Sequence, residues 1–311
     1  MEWSALWTVY IVWGSTYLAI RVVVETLPPL LSAAVRFLFA GALMYGWLAF
    51  RGGFRRMRIS LRELGSCTLI GTALLLGGNG VVALAEQSVP SGLAALIIAS
   101  VPLWVVVLRA IFGDRASGGT LVGVAVGFIG VGILVGSSGG SGGGTLSGVL
   151  LLILASISWA SGSFFSSKLP LPADPFVSTS IQMLTGGTVL GLAGLIGGEL
   201  SGLEIESFSG ASMAALAYLV VFGSLLAFTA YTWLLHNAPI SKVATYAYVN
   251  PVVAVFLGWI ILSENITILM LVGAAVIVAA VAFIVRHEVQ VKRAADRVNL
   301  GHLARELRAE S

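Results

Sequence analysis

The chain has a single cysteine, Cys67, among 311 residues. That rules out a disulfide within the chain and any metal site built on cysteines. Charge is also scarce: 10% of residues are Asp, Glu, Lys or Arg, against roughly 25% in an ordinary soluble domain. Most of the chain is therefore not built to face water. Histidine occurs three times, as His236, His287 and His302, and none lies in the middle of a long apolar run. No H-E-x-x-H, Walker loop or dinucleotide glycine motif occurs in a fitting context. "GGNG" at Gly77 sits inside an apolar run and is no phosphate loop. An intramembrane enzyme would need a nucleophile–base set or metal ligands at depth, so neither catalysis nor a metal or cofactor is expected. The small net charge of +3 reflects membrane topology rather than nucleic-acid binding, as its distribution shows.

What the chain has in abundance is long apolar segments. A bilayer core needs about 20 apolar residues per helix. Scanning between charges, prolines and glycine clusters gives ten such segments. They lie near 3–23, 31–50, 64–85, 92–112, 118–137, 146–167, 176–196, 211–233, 242–262 and 267–286. The first is a full span without an A-x-A cleavage site, so it is not read as a signal peptide. With the amino terminus inside, the inner segments hold Arg51, Arg55, Arg56, Arg58, Arg62, Arg109, Arg115, Lys168, Lys242 and the six basic residues of the tail. Of the 17 Lys and Arg, only Arg21 and Arg36 fall elsewhere. Glu25, Glu86, Glu199, Glu204, Glu206 and Glu264 gather on the outer side. This positive-inside bias supports ten spans with both termini cytoplasmic.

"SSGGSGGG" (Ser137–Gly144) is flexible by composition and divides the chain into similar halves. The halves repeat. "PSGLAALIIASVPLWVVVL" from Pro90 matches "PISKVATYAYVNPVVAVFL" from Pro239, and Pro102 aligns with Pro251. Asp114 with Ser117 matches Glu264 with Thr267, each Ser or Thr placed to cap the next helix. Trp13 pairs with Trp159, and Arg36 with Gln182. Five spans per half is odd, so the halves enter the membrane from opposite sides as an inverted repeat. The expected organisation is residues 1–136 and 146–286 as two five-helix repeats, 137–145 as linker and 287–311 as cytoplasmic tail. The fold class is all-α polytopic membrane protein.

"ATYAYVNPVVAVFLGW" (Ala244–Trp259) carries an amide and a helix breaker inside a span. Pro251 gives no N–H to Ala247, and Pro102 gives none to Ile98. Unpaired carbonyls are tolerated at depth only where protein or water covers them. The proline pair therefore marks spans four and nine as interior, with Pro102 and Pro251 as helix breaks or gating points, although a kink can also serve packing alone. Polar and aromatic residues on the same spans and their neighbours form the candidate cavity lining. They are Trp13, Ser15 and Tyr17 in span one, Asn79 in span three, Ser100 and Trp104 in span four, Trp159 and Ser163 in span six, and Thr245, Tyr246, Tyr248 and Asn250 in span nine. Such a set suits an amphipathic organic ligand, while interhelical packing is the alternative reading.

Two charged residues carry a candidate role. Arg36 lies about five residues inside span two, where a snorkelling side chain or an ion pair with Glu25 or Glu86 is expected, and a carboxylate-binding role is the alternative. Glu86, at an outer interface, is the one candidate for proton coupling, and a solvated carboxylate is the plainer expectation. Gly123–Gly127, Gly132–Gly136 and Gly187–Gly191 have G-x-x-x-G spacing, read first as internal packing and second as a dimer face. Monomer and homodimer both stay open. The tail, with Val291, Val298, Leu303 and Leu307 among its basic residues, either lies on the inner leaflet or is loosely solvated.

"VWGSTYLAI", "PPLLSAAVRFLFAG", "PSGLAALIIASVP" and "YAYVNPVVAVFLGWIILSE" resemble the drug/metabolite transporter superfamily, in its ten-span EamA-type branch. "GGNGVVALAEQSVPSG" and "SISWASGSFFSSKLPLP" are similar to the YedA-type exporters of bacterial inner membranes. The resemblance covers roughly residues 5–285. It implies a basket of ten helices in the inner membrane with a central cavity between the halves. It also implies small metabolites such as amino acids or drugs as cargo, and spans five and ten bracing the bundle from outside. On this reading the partners are a small-molecule substrate and the lipid bilayer, with no nucleic acid. A carrier working by alternating access is the first hypothesis. A channel or passive facilitator is the second, although neither a filter nor a ring of pore charges is found.

Overall fold

The computed structural model describes residues 1–53, 55–114, 116–137, 144–201, 203–238, 243 and 245–309, with the side chains of 235, 236 and 291–309 outside that description. Arg115, Lys242, Pro239, most of the Gly/Ser linker and the tail side chains thus lie outside the described residues. Ten helices order the described chain. They are α1 (Glu2–Val23), α2 (Pro29–Gly52), α3 (Leu61–Glu86), α4 (Ser91–Ile111), α5 (Gly118–Ser137), α6 (Leu146–Ser166), α7 (Pro175–Ile196), α8 (Gly210–Leu234, running on to Asn237), α9 (Tyr246–Leu262) and α10 (Ile268–Ala309). Among them nine are long and apolar enough to cross a membrane, and α9 is a shorter apolar helix of 17 residues. No strand occurs among the described residues.

The helices start where the sequence supplies an acceptor for free N–H groups. Ser60 and Glu63 form a reciprocal capping box at α3. Thr145, Asp174 and Ser209 cap α6, α7 and α8. The expected caps at α5 and α10 are present: Ser117 Oγ accepts from Thr120 N and Thr267 Oγ1 from Met270 N, each at 3.2 Å. Pro29 opens α2, where its missing N–H costs nothing.

The packing has a two-fold pattern. The first helix of each half packs on the third and fourth of the other: α1 lies against α8 and α9, and α6 against α3 and α4. The two second helices, α2 and α7, pack on one another along their length, as do the two fifth helices, α5 and α10. Leu93, Ile97, Leu103 and Leu152 are fully buried where α4 meets α6 and α5. Val35, Phe39, Leu43 and Trp47, four residues apart along α2, are instead exposed. A stripe of that kind is lipid-facing surface in a membrane helix.

Three expectations are revised. The glycines at 123, 127 and 187 do meet neighbouring helices, through Ile284, Leu103 and Leu38, but no described residue comes within 4 Å of a Cβ placed on Gly132 or Gly136. The last helix does not stop near 286; its backbone continues helical to Ala309. The outer acids Glu199 and Glu264 are not free loop charges. Glu199 accepts from Leu30 N and Leu31 N at 3.0 and 2.8 Å, and Glu264 from Ser91 N and Gly92 N at 2.7 and 2.9 Å. Each carboxylate from the second half thus caps a helix of the first, where free N–H groups and the helix dipole favour negative charge. At the other end, Arg109 joins Asp114 and Glu288 at 2.7 and 2.6 Å, tying α4 to α10, and its hydrogen bond holds the Asp114 carboxyl below the ordinary range. Arg56 pairs with Asp174.

The Glu264 cap needs a glycine beneath it, since a Cβ on Gly258 would stand 2.4 Å from Glu264 Oε2. Replacing Glu264 by Ala is expected to destabilise the protein by about 1 kcal/mol, the usual worth of a lost cap. A lower midpoint of thermal unfolding in detergent, with Glu264→Gln falling between the two, is the check.

Candidate functional site

Helices α3 and α8 are the third spans of their halves, and each is interrupted in the same way. Residues Thr72–Gly80 of α3 and Leu219–Leu226 of α8 are wound as π-helix. Aligned on Pro90 and Pro239, the two segments overlap. A π-helical turn is rare and usually marks a functional site, because it spends hydrogen-bond geometry to widen a helix. The sequence points to it only indirectly, through the glycines of "GGNG" and the "FGS" at Phe222.

Each π-helical segment is clamped by the opposite half. Trp13 of α1 donates from Nε1 to the Gly223 carbonyl at 3.2 Å. Trp159 of α6, its partner in the repeat, lies on Gly78, where an added Cβ would be 2.6 Å from the ring. Ser158 Oγ donates to the Ala73 carbonyl at 2.9 Å. Arg36 of α2 donates from Nε to Ser224 Oγ at 2.9 Å. The repeat reading thus joins Trp13 with Trp159 through equivalent roles, although they do not share one cluster.

Around Trp13 an aromatic cluster forms. Its ring centroid is 5.3 Å from Phe228, 5.0 Å from Tyr231 and 5.4 Å from Tyr246, and Tyr231 meets Tyr246 edge-on at 5.6 Å. Thr245 Oγ1 bonds the Tyr10 hydroxyl. Asn250 is buried, and the amide orientation that satisfies its surroundings donates to the carbonyls of Tyr246 and Tyr10, both at 3.2 Å. Ser15 Oγ bonds the Val12 carbonyl at 2.8 Å and the Tyr218 hydroxyl at 2.6 Å. The Asn250 amide thereby ties α9 to α1. Tyr10, Phe228 and Tyr231 belong to this cluster and were not singled out from the sequence, where aromatics on adjacent turns read as ordinary apolar content.

The other candidates lie elsewhere. Tyr17 and Tyr248 pack on the main apolar core. Asn79 donates to the Leu74 carbonyl of its own π-helical turn at 3.4 Å and shares with Arg36 a small crevice that has room for about one water. Ser163 stays on α6 with Trp159, half-buried. Trp104 packs edge-on against Phe128 of α5 at 4.7 Å. Its indole N–H and the hydroxyl of Ser100 are buried without a partner, next to the break in α4. That break separates Ser91–Ile98 from Val101–Ile111, with Pro102 in the first turn of the second piece. Ser156 Oγ covers the Ile97 carbonyl at 3.4 Å. Pro251, by contrast, sits inside an unbroken helix. The prolines match in sequence but not in effect, and the symmetric irregularity belongs to α3 and α8.

Both charged candidates differ from expectation. Arg36 does not snorkel and pairs with neither Glu25 nor Glu86; it is 5% exposed, bonded to Ser224 and over the Phe37 ring. Glu86 is not solvated, being 0% exposed. No cluster of three metal-ligating side chains occurs among the described residues.

Known proteins are similar to this chain in sequence and fold. The sequence profile of the EamA-like transporter family matches residues 3–136 and 146–286. The uncharacterized inner membrane transporter YedA of Escherichia coli (strain K12) is 42% identical over 282 residues, covering 90% of this chain and 89% of that one. A protein of Salmonella typhimurium named as a probable amino-acid metabolite efflux pump is 27% identical over 282 residues, 87% of this chain and 90% of its own. A solved crystal structure covers 90% of this chain and 94% of its own at a TM-score of 0.60 and 20% identity, a likeness of fold. The chain belongs to the EamA-like transporter family, whose members are polytopic membrane transporters.

Proposed function

We propose that this transporter is a secondary carrier exporting small organic metabolites, such as amino acids or amphipathic drugs, across a bacterial inner membrane with both termini cytoplasmic. The observation that carries the reading is the matched pair of π-helical segments, each held by a tryptophan-bearing helix of the other half. Two equivalent joints of that kind let the bundles rock against one another without breaking either, which is what alternating access requires. The aromatic cluster of Trp13, Tyr231 and Tyr246 is then a closed inner mouth, and the α4 break with Ser100 and Trp104 offers unpaired donors to a cargo or a water. The efflux name of the Salmonella relative and the inner-membrane name of the Escherichia relative support direction and location. Fifteen basic residues on one side support the orientation.

Purified protein in proteoliposomes, tested with a panel of radiolabelled amino acids, separates a carrier from a channel. Saturable counterflow is expected; electrical conductance without counterflow would instead show a channel. Asn250→Leu removes one hydrogen bond from α9 to α1, at the Tyr10 carbonyl, and one within α9, at the Tyr246 carbonyl, worth about 1 kcal/mol each, while favouring insertion. Counterflow should fall several-fold at undiminished amounts of membrane-inserted protein, measured by quantitative blotting of the vesicles. Gly78→Ala drives a methyl into Trp159 and is expected to destabilise by about 1–3 kcal/mol, the range for overpacking. Its thermal midpoint should drop, and Trp159→Leu in the same chain should restore part of the loss.

A further inference from the structure

Glu86 ends α3 at the outer end of the bundle, wholly buried, and neither carboxyl oxygen has a hydrogen-bond partner. Three ionisable groups face it: Tyr17 and Arg21 from α1, and Glu264 from the turn between α9 and α10. Arg21 donates to the main-chain carbonyl of Glu86 rather than to its carboxyl. The helix packed along this end of α3 is α6, which carries no ionisable side chain. Arg36 of α2 is engaged with Ser224. Directly outside lies a cavity of about 490 Å³, with Arg21, Glu25, Gln87, Ser88 and Glu264 in its wall, so Glu25 is a further acid beside Arg21. Two neighbours of the buried acid, Arg21 and Glu264, thus also border the outer cavity.

We propose that Glu86 is a proton-binding site, loaded from the outer cavity, whose protonation closes the Glu264 cap over α4. A buried carboxylate without partners is strongly disfavoured, so the closed form described here holds the neutral acid. Glu264 accepts two N–H bonds through its two carboxyl oxygens, and a negative charge arising beside it would weaken its hold. Loss of the proton breaks the Glu86 O–H bond, leaves the electron pair on the carboxylate and passes the proton to water in the cavity. Arg21 then moves from the carbonyl to the new carboxylate, and Glu264 loosens from Ser91 and Gly92. Reprotonation reverses each step. Under the carrier reading above, this makes the outer opening answer to external pH.

Two measurements test it, and neither needs a substrate, so their failure is distinct from failure of the carrier reading. Infrared difference spectroscopy of the full chain in nanodiscs at neutral pH should show a protonated-carboxyl band that vanishes in Glu86→Gln; an unchanged band would overturn the assignment. Should Glu86→Gln not fold, Glu86→Asp must shift that band, and an unshifted band is equally fatal. For the cap, Ser91→Cys in a Cys67→Ser background reports opening through a membrane-impermeant maleimide. The ratio of its labelling rate with Glu86 to that with Glu86→Gln cancels the thiol's own titration. That ratio should climb with pH, and a flat ratio would sink the switch.

Discussion

A helix in hydrocarbon must satisfy its own backbone, because no water is present to do so. Every helix irregularity described among these residues is placed under that constraint. The π-helical turns of α3 and α8 and the break in α4 all lie where another helix covers them. The cover is supplied by the opposite half each time: Trp13 and Arg36 on α8, Trp159 and Ser158 on α3, Ser156 on α4. Apart from Asn79, which bonds the Leu74 carbonyl of its own turn, the side chains that cover these interruptions come from the opposite half, so the two bundles interlock. The irregular segments and the interface between halves are consequently the same place.

The ends of the bundle obey a second rule, that helix termini need partners. The acids Glu199 and Glu264 serve the free N–H groups of α2 and α4 across the interface. Arg56 with Asp174 and Arg109 with Glu288 bind the other end. A chain with so few charges has placed several of them where one half meets the other. The contacts that hold the helix ends are therefore also contacts between the halves, so a substitution at these positions alters how the halves are joined.

Much of the architecture was legible in the sequence. Ten apolar segments, their approximate ends and the caps at Ser117 and Thr267 follow from hydropathy and local chemistry alone, since both act within a few residues. The aromatic and amide residues Trp13, Tyr246 and Asn250 were legible as a group because polar atoms at depth demand explanation. What was not legible depends on three-dimensional partners. Proline spacing suggested symmetric breaks, yet α9 runs unbroken through Pro251, and the symmetric feature is a winding of α3 and α8 that no single residue type dictates. Arg36 and Glu86 looked like interface charges because depth was counted along one helix. Their burial comes from α8 and α6, which distance in sequence hides.

The repeat duplicates the frame but not its furnishings. Trp13, Phe228, Tyr231 and Tyr246 crowd one end of the α1–α8–α9 bundle, while Arg21, Glu86 and Glu264 gather near the opposite surface. Under the carrier function proposed above, a two-fold frame with a one-fold lining meets a solute differently from its two faces. For a carrier built so, half-saturation concentrations on the two faces are unequal, the rings retaining flat hydrophobes and the ionisable groups retaining polar ones. Microscopic reversibility still brings net flux to zero when the driving force is zero, so the unevenness sets which concentration range each face responds to, and not the final balance.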